Sequence, residues 1–373
     1  MLYLDELLEK KENPTPGALE AFEKVGLPNK KTEAFRTFPL NSYYKNPISF
    51  APDGGHTFKQ IPDGIEVLSL DKAGQKYRPI LSKLERKHLD QEGNPFLLAH
   101  NLLKAQGHFI YVPPHTVIEE PLVIDVDAIG FVKLQIFLGE GASLNCRLHT
   151  QKISGHHLID MHLESRAALN LVSTYSAASA PLFESHRAHL KEKAQLKTFS
   201  FADQQALLRQ DVAITLDGRE AHAAIKGLAL LDGSNEHHQS VLMRHRAEET
   251  TSHQHFKAIL SDRSKGVFEG KIDVAAKAQK TDAYQLCNHL LNSPDARSHA
   301  RPGLEILADD VKASHGATVA ACDEMQKFYL CSRGLTSDES DLLLKKAFVY
   351  DVIDPLFDKE LKGAILRKHF GAK

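Results

Sequence analysis

The side chains best suited to chemistry in this sequence are 21 histidines and four cysteines. The histidines gather as His156-His157 with His162, His186 with His189, His237-His238 with His245, and His253 with His255. Alternation along a strand sets His253 and His255 on one face, where two imidazoles can accept a metal. Stacked strands also hold histidines against one another with no ligand, and spacing alone selects no pair. Cys146, Cys287, Cys322 and Cys331 lie too far apart for a local tetrathiolate, and the plainest reading of each is a buried structural thiol. Asp203, Asp211 and Asp217 could border the groove of a polysaccharide-cleaving enzyme, although no aromatic platform accompanies them and tryptophan is absent; turn positions account for them more simply. There is no GxxxxGK[ST] phosphate loop, since Gly270-Lys271 lacks both the upstream glycine and the following hydroxyl, so this chain is not expected to hydrolyse ATP. HExxH, CxxC, GxSxG and a dinucleotide fingerprint are missing as well.

The elements that must position these residues change character along the chain. Leu4, Leu7 and Leu8 make a short helical stripe, and Thr15-Pro16 offers a cap and first-turn proline for a helix through Phe22 that Gly26 stops. Residues 64–70, GIEVLSL, read as a strand, whereas 77–88 and 95–104 repeat apolar residues every three to four and read as helices. From Phe109 onward, short runs of Val, Ile, Leu and Thr alternate with Gly, Asp and Asn. Three weak echoes, at 139–148, 163–172 and 191–200, place Ala142, Ala167 and Ala194 at intervals of 25 and 27 residues. That period suits one coil of a parallel β-solenoid, with small residues letting narrow coils close; a β-sandwich is the structural alternative. Further strand-like pieces lie at 212–218, 223–233, 256–262 and 271–278. Helices return from Asp323: one ends at Arg333-Gly334, the next opens on a Thr336/Glu339 capping box and stops at Asp354-Pro355, and a last one carries Phe357, Leu361 and Ile365.

Composition narrows the classes of function. Lys and Arg total 46 against 48 Asp and Glu, for a net charge of −2 and a pI near 6.9, so no overall field recruits nucleic acid or an anionic membrane. Four cysteines are too few for a disulfide scaffold, and the acidic start lacks the basic and apolar regions of a secretion signal. A reducing, cytoplasmic setting is expected. No apolar run approaches the ~20 residues of a membrane-spanning helix.

Residues 304–339 carry a more specific signal: Leu304-Glu305-Ile306, Asp309-Asp310-Val311-Lys312, Ser314-His315-Gly316-Ala317-Thr318-Val319, Phe328-Tyr329-Leu330 and Ser332-Arg333-Gly334-Leu335. Together with 26–36, 109–124 and 260–285, these resemble the SufB/SufD family of iron–sulfur cluster assembly scaffolds, on its SufD side. The likeness spans nearly the whole chain and is weakest at about 140–240. It implies a helix-rich region over 1–106, a right-handed parallel β-helix over 107–319 and a helical domain over 320–373. It further implies a noncatalytic subunit that pairs with a SufB-like chain and binds a SufC-like ATPase, with a homodimer as an alternative. The cargo would be iron or an iron–sulfur cluster shared with the partner, and a flavin is possible in such a complex.

By the same resemblance, His315 matches a histidine at the SufB–SufD interface that holds iron or a nascent cluster. Cys287 aligns with the segment where SufB, rather than a usual SufD, carries its interface cysteine, and a thiolate there could bind iron or accept sulfur. The two are 28 residues apart, about one coil, so they could form one site, and a homomeric SufB-like cluster binder is the alternative function. Gly316 stands where SufB has a glutamate, which argues for the SufD side; Ala313 stands where many SufD-like chains have cysteine. Cys322 and Cys331 are assigned to helix packing or a subunit contact. Phe328, Tyr329, Leu343, Ala347 and Phe348 are the candidates for the surface that receives the ATPase. A carbohydrate-active β-helix is the remote third reading, supported by fold alone.

Overall fold

The computed structural model describes residues 17–29, 31–32, 35–43, 55–81, 94–103, 106–127, 129–150, 154–176, 181–203 and 206–371. Leu4, Leu7, Leu8, Thr15, Pro16 and most of the helix expected over 77–88 lie outside them. Two nine-stranded stacks face one another. One runs β1 (His56–Gln60), β4 (Leu122–Val126), β6 (Ser143–Thr150), β8 (Ala168–Tyr175), β10 (Gln195–Asp203), β12 (His222–Leu231), β14 (Thr251–Leu260), β16 (Thr281–Leu291) and β18 (Val311–Ala321). The other runs β2 (Glu66–Ser69), β3 (Gln106–Val112), β5 (Ile129–Leu138), β7 (Ser154–Leu163), β9 (Leu182–Leu190), β11 (Leu207–Leu216), β13 (Glu236–His245), β15 (Lys265–Val274) and β17 (Arg297–Ile306). From β3 onward every pairing is parallel and joins strands of successive coils, so the chain winds a parallel β-solenoid of about eight turns. The β-sandwich alternative fails on that parallel pairing.

Ala142, Ala167 and Ala194 do mark equivalent corners. Each is fully buried just before a strand, and the stack continues through Ala221, Thr250 and Thr281. The residue before each, Gly141, Arg166, Lys193, Glu220, Glu249 and Lys280, is left-handed, with φ between 57° and 64°. A non-glycine residue pays about 1–2 kcal/mol for that conformation. Here each N–H donates to a carbonyl of the following coil, as Lys193 does to Arg219 at 2.9 Å and Glu220 to Glu248 at 3.2 Å. The repeat fades from the sequence because the corner tolerates any side chain that points to solvent, and because later coils lengthen.

In the N-terminal region β2 is the strand expected over 64–70, whereas β1 is not foreseen. β1 and β2 pair antiparallel with β4 and β3, covering the first edges of both stacks. Helix α1 (Ala18–Val25) ends at Gly26, φ 68°, as expected, and is followed by the single turn α2 (Leu40–Tyr43). An unforeseen helix, α3 (Leu70–Lys76), starts on Ser69, whose hydroxyl accepts from the Lys72 N–H, and ends at Tyr77, after which residues 78–81 are helical, where the helix over 77–88 is expected to begin. Helix α4 (Pro95–Leu102) is capped by Asn94 and buried along its whole length. Phe22, Phe35, Phe38 and Phe96 press these segments onto Phe131, Phe183 and Leu207, which point out from β5, β9 and β11.

At the other end, α5 (Glu324–Ser332), α6 (Ser337–Ile353) and α7 (Lys359–Phe370) follow β18. Thr336 and Glu339 form the expected capping box. Val349, Val352, Ile353, Ile365 and Phe370 pack on the outward residues Phe199, Phe201, Leu228 and Ile259 of the first stack. Ion pairs pin the same seam: Arg147 to Asp358 at 2.6 Å, Lys257 to Asp351 at 2.7 Å and Lys368 to Asp203 at 2.5 Å. The helices therefore grip the wall of the solenoid and leave its open end uncovered. No helix among the described residues is long and apolar enough to cross a membrane.

Candidate functional site at the open end of the solenoid

β17 and β18 are the last strands, and each pairs on one side only. A strand with a free edge presents unpaired N–H and C=O groups in a row, ready to accept another strand. The inward row of β16 runs through Ala283, Gln285, Cys287 and His289, and register places Ala313, His315, Ala317 and Val319 directly over them. His315 thus belongs to the row that fills the lumen in earlier coils, yet it is exposed because no further coil covers it. Leu304 and Val319 are exposed for the same reason, at 37% and 44%.

Cys287 lies one coil below and two residues along from His315, opposite Ala317 rather than opposite His315 itself. Adjacent coils are as expected. Its environment is not that of a ready thiolate: the side chain is wholly buried, and burial pushes the thiol up to about 12. Its Sγ lies 3.3 Å from His289 Nε2, and His289 Nδ1 lies 2.6 Å from Ser298 Oγ. Burial lowers His289 to about 4, so the ring is neutral, and a neutral ring that donates through Nδ1 to Ser298 accepts the thiol proton at Nε2. Directly beneath His315, the Gln285 amide donates to Gln254 Oε1 at 2.8 Å and fills the space left by Gly270, where a Cβ would come within 2.4 Å of it. Gln285 Oε1 is buried with no partner. His289, Ser298 and Gln285 were missed by the sequence reading. His289 and Gln285 were accessible to it, because residues two apart on a strand share a face with Cys287; Ser298 comes from the facing stack, and only packing brings it to His289.

The remaining histidine groups are dispersed rather than gathered. His156 and His157 point to opposite faces of β7: the former packs with His100, Phe96 and Phe183 outside, the latter bonds His56 and Glu184 inside. His186 reaches Glu184, His189 reaches Asp217, His237 reaches Gln210, His238 reaches Glu236, and His245 bonds Thr250 and Ser252. His253 and His255 do share a face of β14, but the first stands edge-on to His222 and the second bonds Asn288. Among the described residues no three His, Cys, Asp or Glu side chains gather into a metal nest. The three aspartates share no groove. Asp203 is held by Lys368 and His369, Asp211 by Arg209 and Asn94, and Asp217 by His189. Asp203 and Asp211 point outward from opposite stacks, and both are strand residues rather than turn residues.

On the helices, Phe328, Tyr329 and Leu343 are exposed at 69%, 55% and 45%, beside Met325 at 74%. Ala347 is exposed, whereas Phe348 is half-buried against the solenoid, where the Lys257 ammonium lies over its ring and bonds its carbonyl. Cys331 sits 3.5 Å from Ser340 between α5 and α6.

A family model described as the SufBD core domain of the SUF system for FeS cluster assembly matches residues 124–348, the solenoid with most of α5 and α6. The chain belongs to the SufBD family. Over 187 residues it is 36% identical to the iron–sulfur cluster assembly protein SufD of Escherichia coli K12, a match covering 49% of this chain and 44% of that protein. A SufBD family protein of Synechocystis is 33% identical over 161 residues, 43% of this chain and 35% of that one. The chain thus spans less than half the length of these two relatives. A third, from Staphylococcus saprophyticus, is 23% identical over 355 residues, 91% of this chain and 74% of its own.

Burial makes a direct prediction for the cysteines of this SufBD chain. Under native, reducing conditions iodoacetamide should label Cys322 and Cys331, which are half-buried, well before Cys146 and Cys287, which are buried and whose thiols are pushed up to about 12. Mass spectrometry of timed digests measures the order. Early labelling of Cys287 would mean that the terminal coil opens.

Proposed function

We propose that this chain is a noncatalytic, SufD-like scaffold subunit whose open solenoid end docks on a SufB-like partner, with His315 lending an imidazole to iron or a cluster built at the joint. The observation that carries this reading is an inward-row histidine left uncovered between two unpaired strand edges. An imidazole donates nitrogen to iron without adding charge, and one histidine is an incomplete ligand set. A partner that extends the sheets would bring its own ligands to face it. Cys287 is a ligand in reserve: iron near the joint favours loss of its proton, and His289 is placed to take it. The exposed Phe328, Tyr329, Leu343 and Ala347 form the surface offered to a SufC-like ATPase, with Phe348 fastening that surface to the solenoid wall. Nucleotide-driven movement of the ATPase would then pull on the brace and expose the cargo. The setting is a reducing compartment, and no polysaccharide chemistry is assigned.

Anaerobic co-purification with SufB-like and SufC-like chains, followed by mass, iron and sulfide analysis, tests the assignment. A stable complex is expected, with H315A retaining the partners and losing most of the iron. Failure to associate with either chain rejects the partnership. A species of twice the 41.5 kDa mass formed by this chain alone favours the homomeric reading. Unchanged cluster spectra and stoichiometry in both H315A and C287A remove these residues from the ligand set.

A further inference from the structure

Gln285 lies in the lumen directly beneath His315, and one of its two polar atoms is unused there. The side chain is fully buried, its Nε2 donates to Gln254 Oε1 at 2.8 Å, and its own Oε1 has no hydrogen-bond partner. A buried acceptor left unanswered costs stability and calls for an account. An amide that points its NH2 down the row toward Gln254 turns its oxygen away from that coil. The facing strand does not answer the oxygen. Gly270 stands there, and a Cβ on it would collide with the Gln285 amide; one coil above Gly270 is Pro302, which has no N–H to offer.

The register partner of Gln285 on the open side is His315. The solenoid already bridges steps of this kind elsewhere. Gln254 and Gln285 are themselves register partners one coil apart. Two imidazoles cross the same step through Nδ1: His157 donates to Glu184 at 3.1 Å, and His149 Nδ1 lies 2.8 Å from Thr174 Oγ1, each residue being the register partner of the other. In both, the nitrogen nearer the backbone meets the polar group of the adjacent coil, and Nε2 is left for another partner; on His157 that partner is His56, at 3.1 Å. In the uncovered chain the His315 ring is exposed, water competes for its N–H, and the Gln285 oxygen stands unanswered.

We infer that Gln285 is a positioning residue for His315: once the open end is covered, its Oε1 takes the Nδ1–H of the ring and turns the Nε2 lone pair toward the metal. The inference rests on the reading of His315 as a ligand. A neutral imidazole carries one N–H and one lone pair, so the nitrogen that donates decides which nitrogen coordinates. Partners that orient a ligating imidazole in this way are worth about 10- to 100-fold in metal affinity.

Gln285→Met and Gln285→Glu test it in the anaerobic complex of the full chain with SufB-like and SufC-like partners. Methionine keeps the length and bulk and removes the acceptor. Glutamate keeps the acceptor, and Gln254, whose buried Nε2 has no partner, can turn its amide to answer the new carboxylate. Retention of iron against a competing chelator should fall by about tenfold or more in Gln285→Met and stay near that of the unaltered chain in Gln285→Glu. A packing role alone predicts the reverse order, because a buried carboxylate disturbs a dry lumen more than a thioether does. In the metal-free complex, nitrogen NMR of the histidine-labelled chain, with the His315 signals assigned by their loss in H315A, should show Nδ1 protonated; Gln285→Met should lose that preference. Iron lost in H315A but held by Gln285→Met as by the unaltered chain overturns the positioning role, as does an Nε2-protonated ring in the metal-free complex. Iron lost from Gln285→Glu to the level of H315A overturns it too, whether or not the methionine variant folds. Iron held in full by H315A overturns the ligand reading itself, and this role with it.

Discussion

Glu184→Ala is expected to lower the unfolding free energy by about 3–5 kcal/mol, the cost of removing one partner from a buried ionic cluster. Glu184 points into the lumen from β9 and is 1% exposed. Its carboxylate takes His157 Nδ1 at 3.1 Å, His186 Nε2 at 2.5 Å and the Tyr175 hydroxyl. The network extends from there. His157 meets His56, which meets His108, and on the other side Gln210 donates to the Tyr175 oxygen at 2.8 Å and accepts from His237 at 2.9 Å. One carboxylate thus anchors polar side chains from both stacks over several coils. Burial alone would raise its pKa, but His186 and His157 more than offset this and hold it well below the usual carboxylate range. A carboxyl lowered in the folded state stabilises the protein above its ordinary pKa near 4.5, and that contribution disappears as the pH falls through the folded value. Alanine would leave two imidazoles, a phenol and a void in a dry interior, whereas Glu184→Gln keeps the shape and should lose less. Chemical denaturation of both variants at pH 7.5 measures the difference; a loss under about 1 kcal/mol for alanine would show that the lumen admits water and the cluster is not dry.

The second large effect is steep loss of stability in mild acid. Burial lowers His237 to about 3 and His238 and His245 to about 4, against 6.5 for a free imidazole. The unfolded chain therefore binds protons at these positions below about pH 6.5, while the folded chain does not until about pH 4. Protonation favours unfolding across that window, so stability rises with pH through it. Each such histidine contributes a slope of about 1.4 kcal/mol per pH unit near its centre, so the three give about 4 kcal/mol per unit around pH 5. Set against a typical total of about 5–15 kcal/mol, that is enough to unfold the chain before pH 4. Urea midpoints at pH 8, 6.5, 5.5 and 4.5 should be level between the first two and then drop sharply. Level midpoints down to pH 5 would mean that these rings are already charged in the folded state. Preparation of the chain, and any metal loading, belongs above pH 7.

The two effects share a cause, and it marks where residue-level reading runs out. The histidine pairs are conspicuous in sequence, although spacing alone selects none of them as a site. In a strand, however, neighbours point to opposite sides, so His156 entered the aromatic cluster under α4 while His157 entered the lumen network. The partners that define their chemistry lie 27 residues away for His157 with Glu184 and for His237 with Gln210. Coil period decides these contacts, and the period drifts. At the open end the same rule separated Cys287 from His315: adjacent coils were readable from 28 residues of spacing, but facing Gln285 rather than Cys287 required the register.

The sequence by itself determined the family, through the segment at 304–339, and the β-helix that this resemblance implies; the spacing of the corner alanines alone left a β-sandwich open, and the parallel pairing removed it. The sequence determined the C-terminal helices too, because capping boxes and apolar periodicity are local and need no distant partner. Only the tertiary structure decided that β1 and β2 close the first coil, that α6 and α7 lie along the wall, and that His315 stays uncovered. Coverage depends on what lies one coil further on, and at the last coil the chain supplies no more strand. A cavity on the outer face of the second stack, lined by Arg187, Arg209 and Arg244, is likewise absent from any window of sequence, since these three side chains meet only because three coils stack in register.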